Sequence, residues 1–197
     1  MEVLEPPMQQ TADLEADIGD VLLTEQQIRS KVAELGARVT TDYAGRRLTL
    51  VSVLKGSLPF MADLMREIRI PLRIDLMEVS SYGGTTTESS GLVRIIKDLS
   101  ASIEHEDVLL VEDIIDTGLT LNYLLRYLRG KNPATLRICT LLDKPARRLV
   151  DIPVDYIGFT IPDQFVVGYG LDYGEIYRNL RFVGVLRPEV YQAPGQS

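Results

Sequence analysis

The fold is decided by a strand, a polar loop and a helix that follow one another near the middle of the 197-residue chain. The sequence there reads Val108-Leu109-Leu110-Val111-Glu112-Asp113-Ile114-Ile115-Asp116-Thr117-Gly118-Leu119-Thr120. Its four leading apolar residues predict a strand that is buried on both faces, as in parallel sheets. The leucines that follow at helical spacing predict a helix. Ligands of open α/β sheets bind at the carboxyl ends of strands, so this loop is the first candidate for a binding site.

Strands and helical stripes alternate along the rest of the chain. Thr24-Glu25-Gln26-Gln27 fits a capping box, and the apolar spacing after it predicts a helix over about 25–43. A second helix is predicted from Pro59. The predicted strands cover about 48–54, 72–80, 92–97, 107–112, 135–142, 154–159 and 181–186. This alternation implies crossover connections, and it predicts an α/β fold with a mainly parallel, doubly wound sheet flanked by helices.

Three parts are expected along the chain. Residues 1–20 contain two prolines and several acids without sustained periodicity, which indicates a flexible N-terminal arm. Residues 21–187 form one domain, because neither an internal repeat nor a linker interrupts them. Residues 188–197 are expected to form a flexible tail.

Composition excludes several classes of protein. Lys and Arg total 21 and Asp and Glu total 28, a net charge of −7 that disfavours binding to nucleic acid and to anionic membranes. Cys139 is the single cysteine, which rules out an internal disulfide or a cysteine zinc site. The start of the chain lacks the pattern of a signal peptide, and no apolar stretch reaches the roughly 18 residues of a membrane span. We therefore expect a cytoplasmic protein.

The polar loop suits an anionic, hydroxylated ligand. Gly118 permits a tight turn and a close backbone approach, and N–H groups at the helix start attract anions. The hydroxyls of Thr117 and Thr120 add donors for phosphate oxygens, whereas Glu112 and Asp113 suit hydroxyls, a proton or a metal. These residues together imply a phosphate at one end of the ligand and a sugar at the other.

A plainer interpretation of the loop stays open on these residues alone, in which the acids form a solvated turn and Asp116 caps the helix. The sequence contains neither a Walker loop nor a Rossmann fingerprint, so those two kinds of nucleotide site are excluded.

The segment from Val111 to Thr120 resembles the phosphoribosyl-pyrophosphate motif of type I phosphoribosyltransferases, in its hypoxanthine-guanine form. Further landmarks follow the order of that family. They are Leu54-Lys55-Gly56, similar to its pyrophosphate loop; Ser81-Tyr82-Gly83, similar to the start of its lid; Leu141-Leu142-Asp143-Lys144 and the run from Ile161 to Tyr173, similar to its purine-binding hood; and Arg178. The resemblance covers roughly residues 20–187, with the hood formed by N-terminal and C-terminal segments, the latter at about 150–187.

The resemblance implies a site in which Asp116 lies near N7 of the purine and accepts its proton. The residues implied to bind phosphoribosyl pyrophosphate are Lys55, Gly56, Glu112, Asp113, Asp116, Thr117, Gly118, Leu119, Thr120 and Arg178. Those implied to bind the purine are Ile114, Lys144, Phe165, Val166 and Asp172. The residues implied to hold Mg²⁺ are Glu112, Asp113 and Asp172. The implied lid over residues 81–91 begins with Ser81, Tyr82 and Gly83.

The implied activity is Mg²⁺-dependent transfer of a 5-phosphoribosyl group to N9 of hypoxanthine or guanine, which yields IMP or GMP and pyrophosphate. In it Glu112 and Asp113 hold the ribose hydroxyls, Lys144 donates to the oxygen at C6, and Phe165 stacks on the base. The backbone of Val166 binds the other purine edge. A homodimer or homotetramer is implied, as is a cis peptide bond between Lys55 and Gly56.

Two alternatives share the scaffold. An RNA-binding regulator would need a basic face, and the net charge of −7 argues against one. A transferase for adenine, xanthine or orotate would need a different base pocket; Lys144 favours a 6-oxo base over adenine, whose amino group is a donor. The sequence does not rank hypoxanthine, guanine and xanthine.

Overall fold

A computed structural model describes residues 13–81 and 93–191 of the chain. In chain order its helices and strands are β1 (Ile18–Leu23), α1 (Glu25–Asp42), β2 (Leu48–Leu54), α2 (Leu58–Glu67), β3 (Leu72–Ser81), β4 (Val93–Lys97), β5 (Asp107–Ile115), α3 (Leu119–Arg129), β6 (Thr135–Asp143), β7 (Tyr156–Thr160), β8 (Val166–Val167), β9 (Val183–Leu186) and α4 (Pro188–Tyr191). Short 3₁₀ helices occupy Leu14–Asp17 and Pro145–Arg147.

The main sheet has the strand order β4-β3-β2-β5-β6-β7. Strand β4 runs antiparallel to β3, and the other neighbouring pairs are parallel. Helices flank the sheet, so the predicted mainly parallel α/β architecture is confirmed. Strands β2 and β5 lie at the centre because their apolar runs can be buried on both faces.

The two faces of the sheet carry separate parts of the core. Along β5, Leu109 and Val111 pack with helices α1 and α2, whereas Val108 and Leu110 pack with helix α3. Helix α1 begins after Thr24, and the predicted capping box is present in full. Strand β5 extends to Ile115 rather than ending near residue 112, because its later residues continue to pair with β6. The carboxyl end of β5 therefore includes the two acids of the polar loop.

A second, antiparallel sheet has the order β1-β9-β8 and corrects the expected arm and tail. Residues 14–20 of the expected arm form a 3₁₀ helix and the start of β1, because Ile18 pairs with Leu186 and is buried against it. Residues 188–191 of the expected tail form α4, whose Tyr191 stacks on Phe165. Residues 1–12 and 192–197 lie outside the described part.

The segment expected to form a lid falls mostly outside the described residues. Ser81 is the last residue of β3, and Tyr82 and Gly83 belong to the undescribed residues 82–92. None of the helices in residues 13–81 and 93–191 is long and apolar enough to cross a membrane. Cys139 is buried in β6, and the side chain of His105 is exposed.

Candidate active site

The candidate site lies where the carboxyl ends of β2, β5 and β6 meet at one edge of the sheet. The phosphate loop, which we define as Asp116–Thr120, joins β5 to helix α3. Gly118 adopts a φ of +81° at the N-cap of that helix, a conformation that side-chain-bearing residues rarely adopt. A Cβ atom there would also meet side-chain carbons of Arg148 and Ile152 at 3.1 Å. The loop therefore presents backbone N–H groups beside the helix start, as anion sites do.

Glu112 and Asp113 are half-buried neighbours at the end of β5. Successive strand residues point to opposite faces, so the two carboxylates do not face each other. Asp113 points toward the loop after β2 and packs against Gly56. Its Oδ1 atom accepts a hydrogen bond of 2.8 Å from the backbone N–H of Ile114.

Both acids are held in surroundings that disfavour their ionised forms. Burial raises the pKa of Asp113 to about 6, and the nearby charge of Asp172 adds to the increase. The pKa of Glu112 lies well above its usual value, because burial and the charge of Asp113 both oppose ionisation. Such pKa values indicate carboxylates that gain from a hydroxyl or a cation brought by a ligand.

Asp116 forms an ion pair with Arg147 without a hydrogen bond between them. The Nε atom of Arg147 lies 3.0 Å from Oδ1 of Asp116, and Nη1 of Arg147 lies 3.8 Å from Oδ1 of Asp163. That Oδ1 atom of Asp116 is buried and accepts no hydrogen bond from any residue in the described ranges. A carboxylate with an oxygen that accepts no hydrogen bond, beside a cleft, can take a proton from a ligand.

Lys144 lies at the end of β6, beside the phosphate loop, and is only 6% exposed. Its Nζ atom donates to the carbonyl oxygen of Gln164 at 2.5 Å, which leaves two of its three donors for other acceptors. Burial lowers the pKa of Lys144, while the charges of Asp116 and Asp163 oppose the decrease. The structure thus brings a buried cation and the candidate proton acceptor together at the ends of adjacent strands.

Asp143, which precedes this lysine, is occupied by an ion pair within the fold. It is 8% exposed and forms an ion pair with Arg148. The Nε atom of Arg148 also donates to the backbone carbonyl of Asp116 at 3.2 Å. Asp143 therefore supports the phosphate loop through Arg148.

The three-stranded sheet contributes an aromatic cluster. Phe165 stacks on Tyr191 with ring centroids 4.8 Å apart, and it meets Tyr173 edge-on at 5.7 Å. A base that stacks on Phe165 requires the ring face that Tyr191 does not cover. Val166 is buried in β8 directly after it, and Ile114 is half-buried at the end of β5.

The loop after β2 contains a cis peptide bond between Leu54 and Lys55. The cis bond was expected one residue later, between Lys55 and Gly56. That expectation is wrong, because the cis bond precedes Lys55. Gly56 is enclosed on two sides: a Cβ atom there would overlap with Asp113, and a Cβ atom on Gly170 would overlap with the carbonyl of Gly56. The close approach explains why glycine occupies both positions.

A charged network surrounds this loop. Arg178 Nη2 lies 2.8 Å from Oδ1 of Asp172, and Nη1 of Arg178 donates to the carbonyl of Gly170 at 2.7 Å. Glu175 contacts both basic residues of the network, with its Oε2 atom 2.8 Å from Nζ of Lys55 and its Oε1 atom 3.1 Å from Nη2 of Arg178. The network connects the loop after β2 to the loop that precedes β9.

The described residues fit a magnesium ion that is shared with a ligand. No cluster of three acidic, histidine or cysteine ligands occurs among residues 13–81 and 93–191, so Glu112, Asp113 and Asp172 do not form one closed site. Successive side chains of β5 point to opposite faces of the sheet, so the carboxylate of Glu112 lies apart from those of Asp113 and Asp172. Mg²⁺ typically takes one or two carboxylates together with waters and substrate phosphates, and Asp113 and Asp172 can provide such a partial set.

Sequence reasoning missed four charged or aromatic contributors to the site. They are Arg147, Asp163, Glu175 and Tyr191. The first three are charged residues outside the strands and α-helices, where composition gives no sign of pairing. Tyr191 follows a proline in the segment expected to be a flexible tail, and only its spacing from that proline could have suggested a helix turn.

Comparison with known proteins shows the family of the chain. The family model of the phosphoribosyl transferase domain matches residues 19–174. The hypoxanthine-guanine phosphoribosyltransferase of Bacillus subtilis (strain 168) is 54% identical over 177 residues, which cover 90% of this chain and 98% of the relative. The enzyme of the same name from Staphylococcus aureus (strain N315) is 55% identical over 175 residues, or 89% of this chain and 97% of the relative.

A solved structure extends the similarity to three dimensions. A crystal structure of a hypoxanthine phosphoribosyltransferase from Staphylococcus aureus (tetragonal space group) superposes with a TM-score of 0.89 at 52% identity, covering 94% of this chain and 100% of that one. The family match spans most of the chain, and the relatives are matched over nearly their whole length. The chain belongs to the phosphoribosyl transferase family, among its hypoxanthine-guanine phosphoribosyltransferases.

Proposed function

We propose that the chain transfers the 5-phosphoribosyl group of phosphoribosyl pyrophosphate to N9 of hypoxanthine or guanine. The products are IMP or GMP and pyrophosphate. The bond between ribose C1′ and the pyrophosphate oxygen breaks, the bond between C1′ and N9 forms, and the purine loses the proton on N7. Departure of pyrophosphate leaves an oxocarbenium-like charge on the ribose, comparable to that in glycoside cleavage.

The phosphate and ribose of the donor bind at the end of β5. Backbone N–H groups and the hydroxyls of Thr117 and Thr120 surround the 5′-phosphate, with Leu119 supplying a backbone N–H. The φ of +81° at Gly118 supports this role, because it turns the loop at the helix start. Glu112 and Asp113 accept hydrogen bonds from the ribose 2′- and 3′-hydroxyls, which relieves carboxylates whose pKa values burial has raised.

The purine binds beside Lys144 with its C6 oxygen toward the ammonium group. Two donors of that group are not used by Gln164, and a neutral acceptor at C6 suits them. Phe165 stacks on the base, the backbone of Val166 binds its other edge, and Ile114 lines the pocket. An exocyclic amino group at C6 would present a donor to a donor, which disfavours adenine.

Asp116 accepts the proton from N7 as the new glycosidic bond forms. Its buried Oδ1 atom has no hydrogen-bond donor among the described residues, which supports a proton-accepting role. The guanidinium of Arg147 at 3.0 Å keeps a positive charge beside this carboxylate. A positioned carboxylate of this kind typically contributes about 10²–10⁴-fold to the rate.

The reaction is expected to use Mg²⁺ as its cofactor. Asp113 and Asp172 would hold the ion, whereas Glu112 would act through the ribose hydroxyls. When bound, the ion neutralises charge that develops on the leaving pyrophosphate. Lys55 and Arg178 contact the same leaving group.

The observation that carries the proposal is the meeting of Lys144 and Asp116 at the ends of β6 and β5. Nζ of Lys144 lies 3.9 Å and Nη1 of Arg147 lies 3.8 Å from the same Oδ1 atom of Asp163, and Arg147 also contacts Asp116 at 3.0 Å. Lys144 and Asp116 therefore belong to one charged cluster. A purine with oxygen at C6 and a proton at N7 presents an acceptor and a donor on one edge, which matches a cation beside a carboxylate.

The test is a mass balance on the reaction mixture. Purified chain with phosphoribosyl pyrophosphate, hypoxanthine and Mg²⁺ is expected to form IMP and pyrophosphate in equal amounts, and a chelator is expected to stop the reaction. Pyrophosphate release without IMP would contradict the transfer. Full activity after complete removal of divalent cations would contradict the role of the metal.

The proposal also covers the oligomeric state of the protein and its location in the cell. We expect a homodimer or homotetramer, and analytical ultracentrifugation of the full chain distinguishes the two. We expect the cytoplasm as its location, which fractionation of the source cells tests.

A further inference from the structure

The carboxylate of Glu175 contacts both cations that the proposed function assigns to pyrophosphate. Its Oε2 atom lies 2.8 Å from Nζ of Lys55, and its Oε1 atom accepts a hydrogen bond of 3.1 Å from Nη2 of Arg178. Lys55 is 120 residues from Glu175 in the chain, so the contact joins two separate segments of the fold. One carboxylate therefore spans the gap that a pyrophosphate anion must span to contact the same two side chains.

The backbone around Glu175 directs its side chain toward these cations. Glu175 adopts a φ of +68°, in the left-handed region that residues with a Cβ seldom occupy. Its N–H donates to Oδ2 of Asp172 at 2.9 Å, which holds the turn in place. A strained residue fixed by a specific hydrogen bond beside a binding site indicates a functional constraint rather than a random surface turn.

The contacts of Glu175 are also easy to break. The side chains of Lys55 and Glu175 are 58% and 62% exposed, and exposed ion pairs contribute little net stability because water screens them. Exposed side chains exchange rotamers on a picosecond to nanosecond timescale, far faster than enzymatic turnover. The two contacts of Glu175 are ion pairs, at 2.8 Å to Lys55 and 3.1 Å to Arg178, so its carboxylate occupies both cations by charge.

We propose that Glu175 is an internal anion that occupies Lys55 and Arg178 in the empty enzyme and competes with pyrophosphate for them. The proposal rests on the proposed function, which supplies pyrophosphate as a ligand. Pyrophosphate binds fully only to enzyme molecules in which Glu175 has left the two cations. The apparent affinity for pyrophosphate is therefore the intrinsic affinity multiplied by the fraction of molecules in that open state. After transfer, the returning carboxylate replaces the departing pyrophosphate and favours its release.

The test is the Glu175→Gln variant, which keeps the size of the side chain and removes its charge. Calorimetric titration with pyrophosphate and Mg²⁺ is expected to give a dissociation constant about threefold to tenfold lower than that of the wild type, the range for losing an exposed competing charge. The inhibition constant of pyrophosphate in the forward reaction is expected to decrease by the same factor. Affinity for IMP alone is expected to stay unchanged, because IMP has no group at Lys55 and Arg178.

The direction of the change separates competition from structural support. If Glu175 only held the two cations in place, its loss would loosen them and weaken pyrophosphate binding. Glu104→Gln is the matched control: it removes the same charge from an exposed side chain that precedes β5, at the opposite edge of the sheet, and is expected to leave all three constants unchanged.

Equal or weaker pyrophosphate binding by Glu175→Gln in an active enzyme would overturn this inference and leave the proposed reaction intact. A decrease of the same size in the Glu104→Gln control would also overturn it, because a general charge effect would then explain the result. A wild-type chain that neither forms IMP nor binds pyrophosphate would overturn the inference and the proposed function together.

Discussion

Asp113 packs directly on the backbone of Gly56, so closely that a Cβ atom at Gly56 would overlap with Oδ2 of Asp113. Gly170 packs closely on the same loop, because a Cβ atom there would overlap with the carbonyl oxygen of Gly56. The acid at the end of β5 and the proposed pyrophosphate loop are therefore one packed unit. A change in the loop must displace the acid.

The first prediction concerns this contact. Gly56→Ala is expected to weaken binding of phosphoribosyl pyrophosphate about tenfold or more, because the methyl group moves either the loop or Asp113 away from the ligand, with a cost of about 1–3 kcal/mol for overpacking. Calorimetry measures the effect. Gly19→Ala is the control, since a Cβ atom there meets only ordinary contacts at 3.6 and 3.7 Å. Wild-type affinity in Gly56→Ala would refute the coupling between loop and acid.

Asp116→Asn tests the proton acceptor. We expect kcat to decrease by about 10²–10⁴-fold while phosphoribosyl pyrophosphate still binds, because the amide keeps the shape of the side chain but cannot take the proton. Asp163→Asn is the control, since Asp163 also faces Arg147, at 3.8 Å, without being assigned to N7. Stopped-flow and steady-state rates measure both variants. An Asp116→Asn enzyme with wild-type turnover would remove Asp116 from this role.

Gly118→Val tests the phosphate loop. The valine side chain is strained at a φ of +81°, and its Cβ atom meets carbons of Arg148 and Ile152 at 3.1 Å. We expect affinity for phosphoribosyl pyrophosphate to decrease far more than the free energy of unfolding. Gly45→Val is the control variant. Gly45 has a similar φ of +77°, but it lies at the other edge of the sheet and has open space around its Cβ position. Similar losses of affinity in both variants would mean that backbone strain alone explains the result.

Asp113 gives a pH dependence whose sign follows from its raised pKa. In the folded state Asp113 keeps its proton up to about pH 6, whereas in the unfolded chain it loses the proton near its ordinary pKa of 3.8, so this residue lowers stability as pH increases through that window. Asp113→Asn is expected to be more stable than the wild type at pH 7, by about 1–3 kcal/mol. The difference is expected to shrink as pH falls toward 4. Urea unfolding across this range measures it, and a difference that is independent of pH would contradict the assignment.

The main sheet and the phosphate loop could be predicted because their signals are local. The apolar run before Glu112 and the leucine spacing of α3 depend on neighbouring residues only, and both elements formed as expected. The capping box at Thr24 was predictable for the same reason. The end of β5 was placed too early, because acidic residues usually favour turns and here their backbone continues to pair with β6.

The three-stranded sheet was harder to predict because its pairing is distant and its pattern weak. Strand β1 pairs with β9, and between its buried ends Ile18 and Leu23 it contains Gly19 and an exposed Val21. That sequence has no clear alternation of apolar and polar residues. The ion pairs of Arg147 and Glu175 depend on how loops fold over the sheet, which composition does not encode.

Lys144→Ala tests how the base is selected. We expect affinity for hypoxanthine to decrease by about 1.5–3 kcal/mol, the value of a hydrogen bond to a charged group, while affinity for phosphoribosyl pyrophosphate stays nearly intact. Lys131→Ala is the control, because this lysine bonds to Asp98 beyond the end of α3, away from the base pocket. Equal affinity for hypoxanthine in Lys144→Ala and the wild type would refute the assignment of Lys144.

The most direct test of the central claim is a steady-state assay of the wild-type chain with phosphoribosyl pyrophosphate, Mg²⁺ and each of hypoxanthine, guanine, xanthine and adenine in turn. A site built from Lys144 and Asp116 is expected to turn over hypoxanthine and guanine, with kcat/KM for adenine lower by a factor of about 10² or more, because a buried donor would face a donor. The assay also establishes how kcat/KM for xanthine compares with the values for hypoxanthine and guanine. Adenine used as readily as hypoxanthine, or no turnover of any 6-oxopurine, would contradict the account.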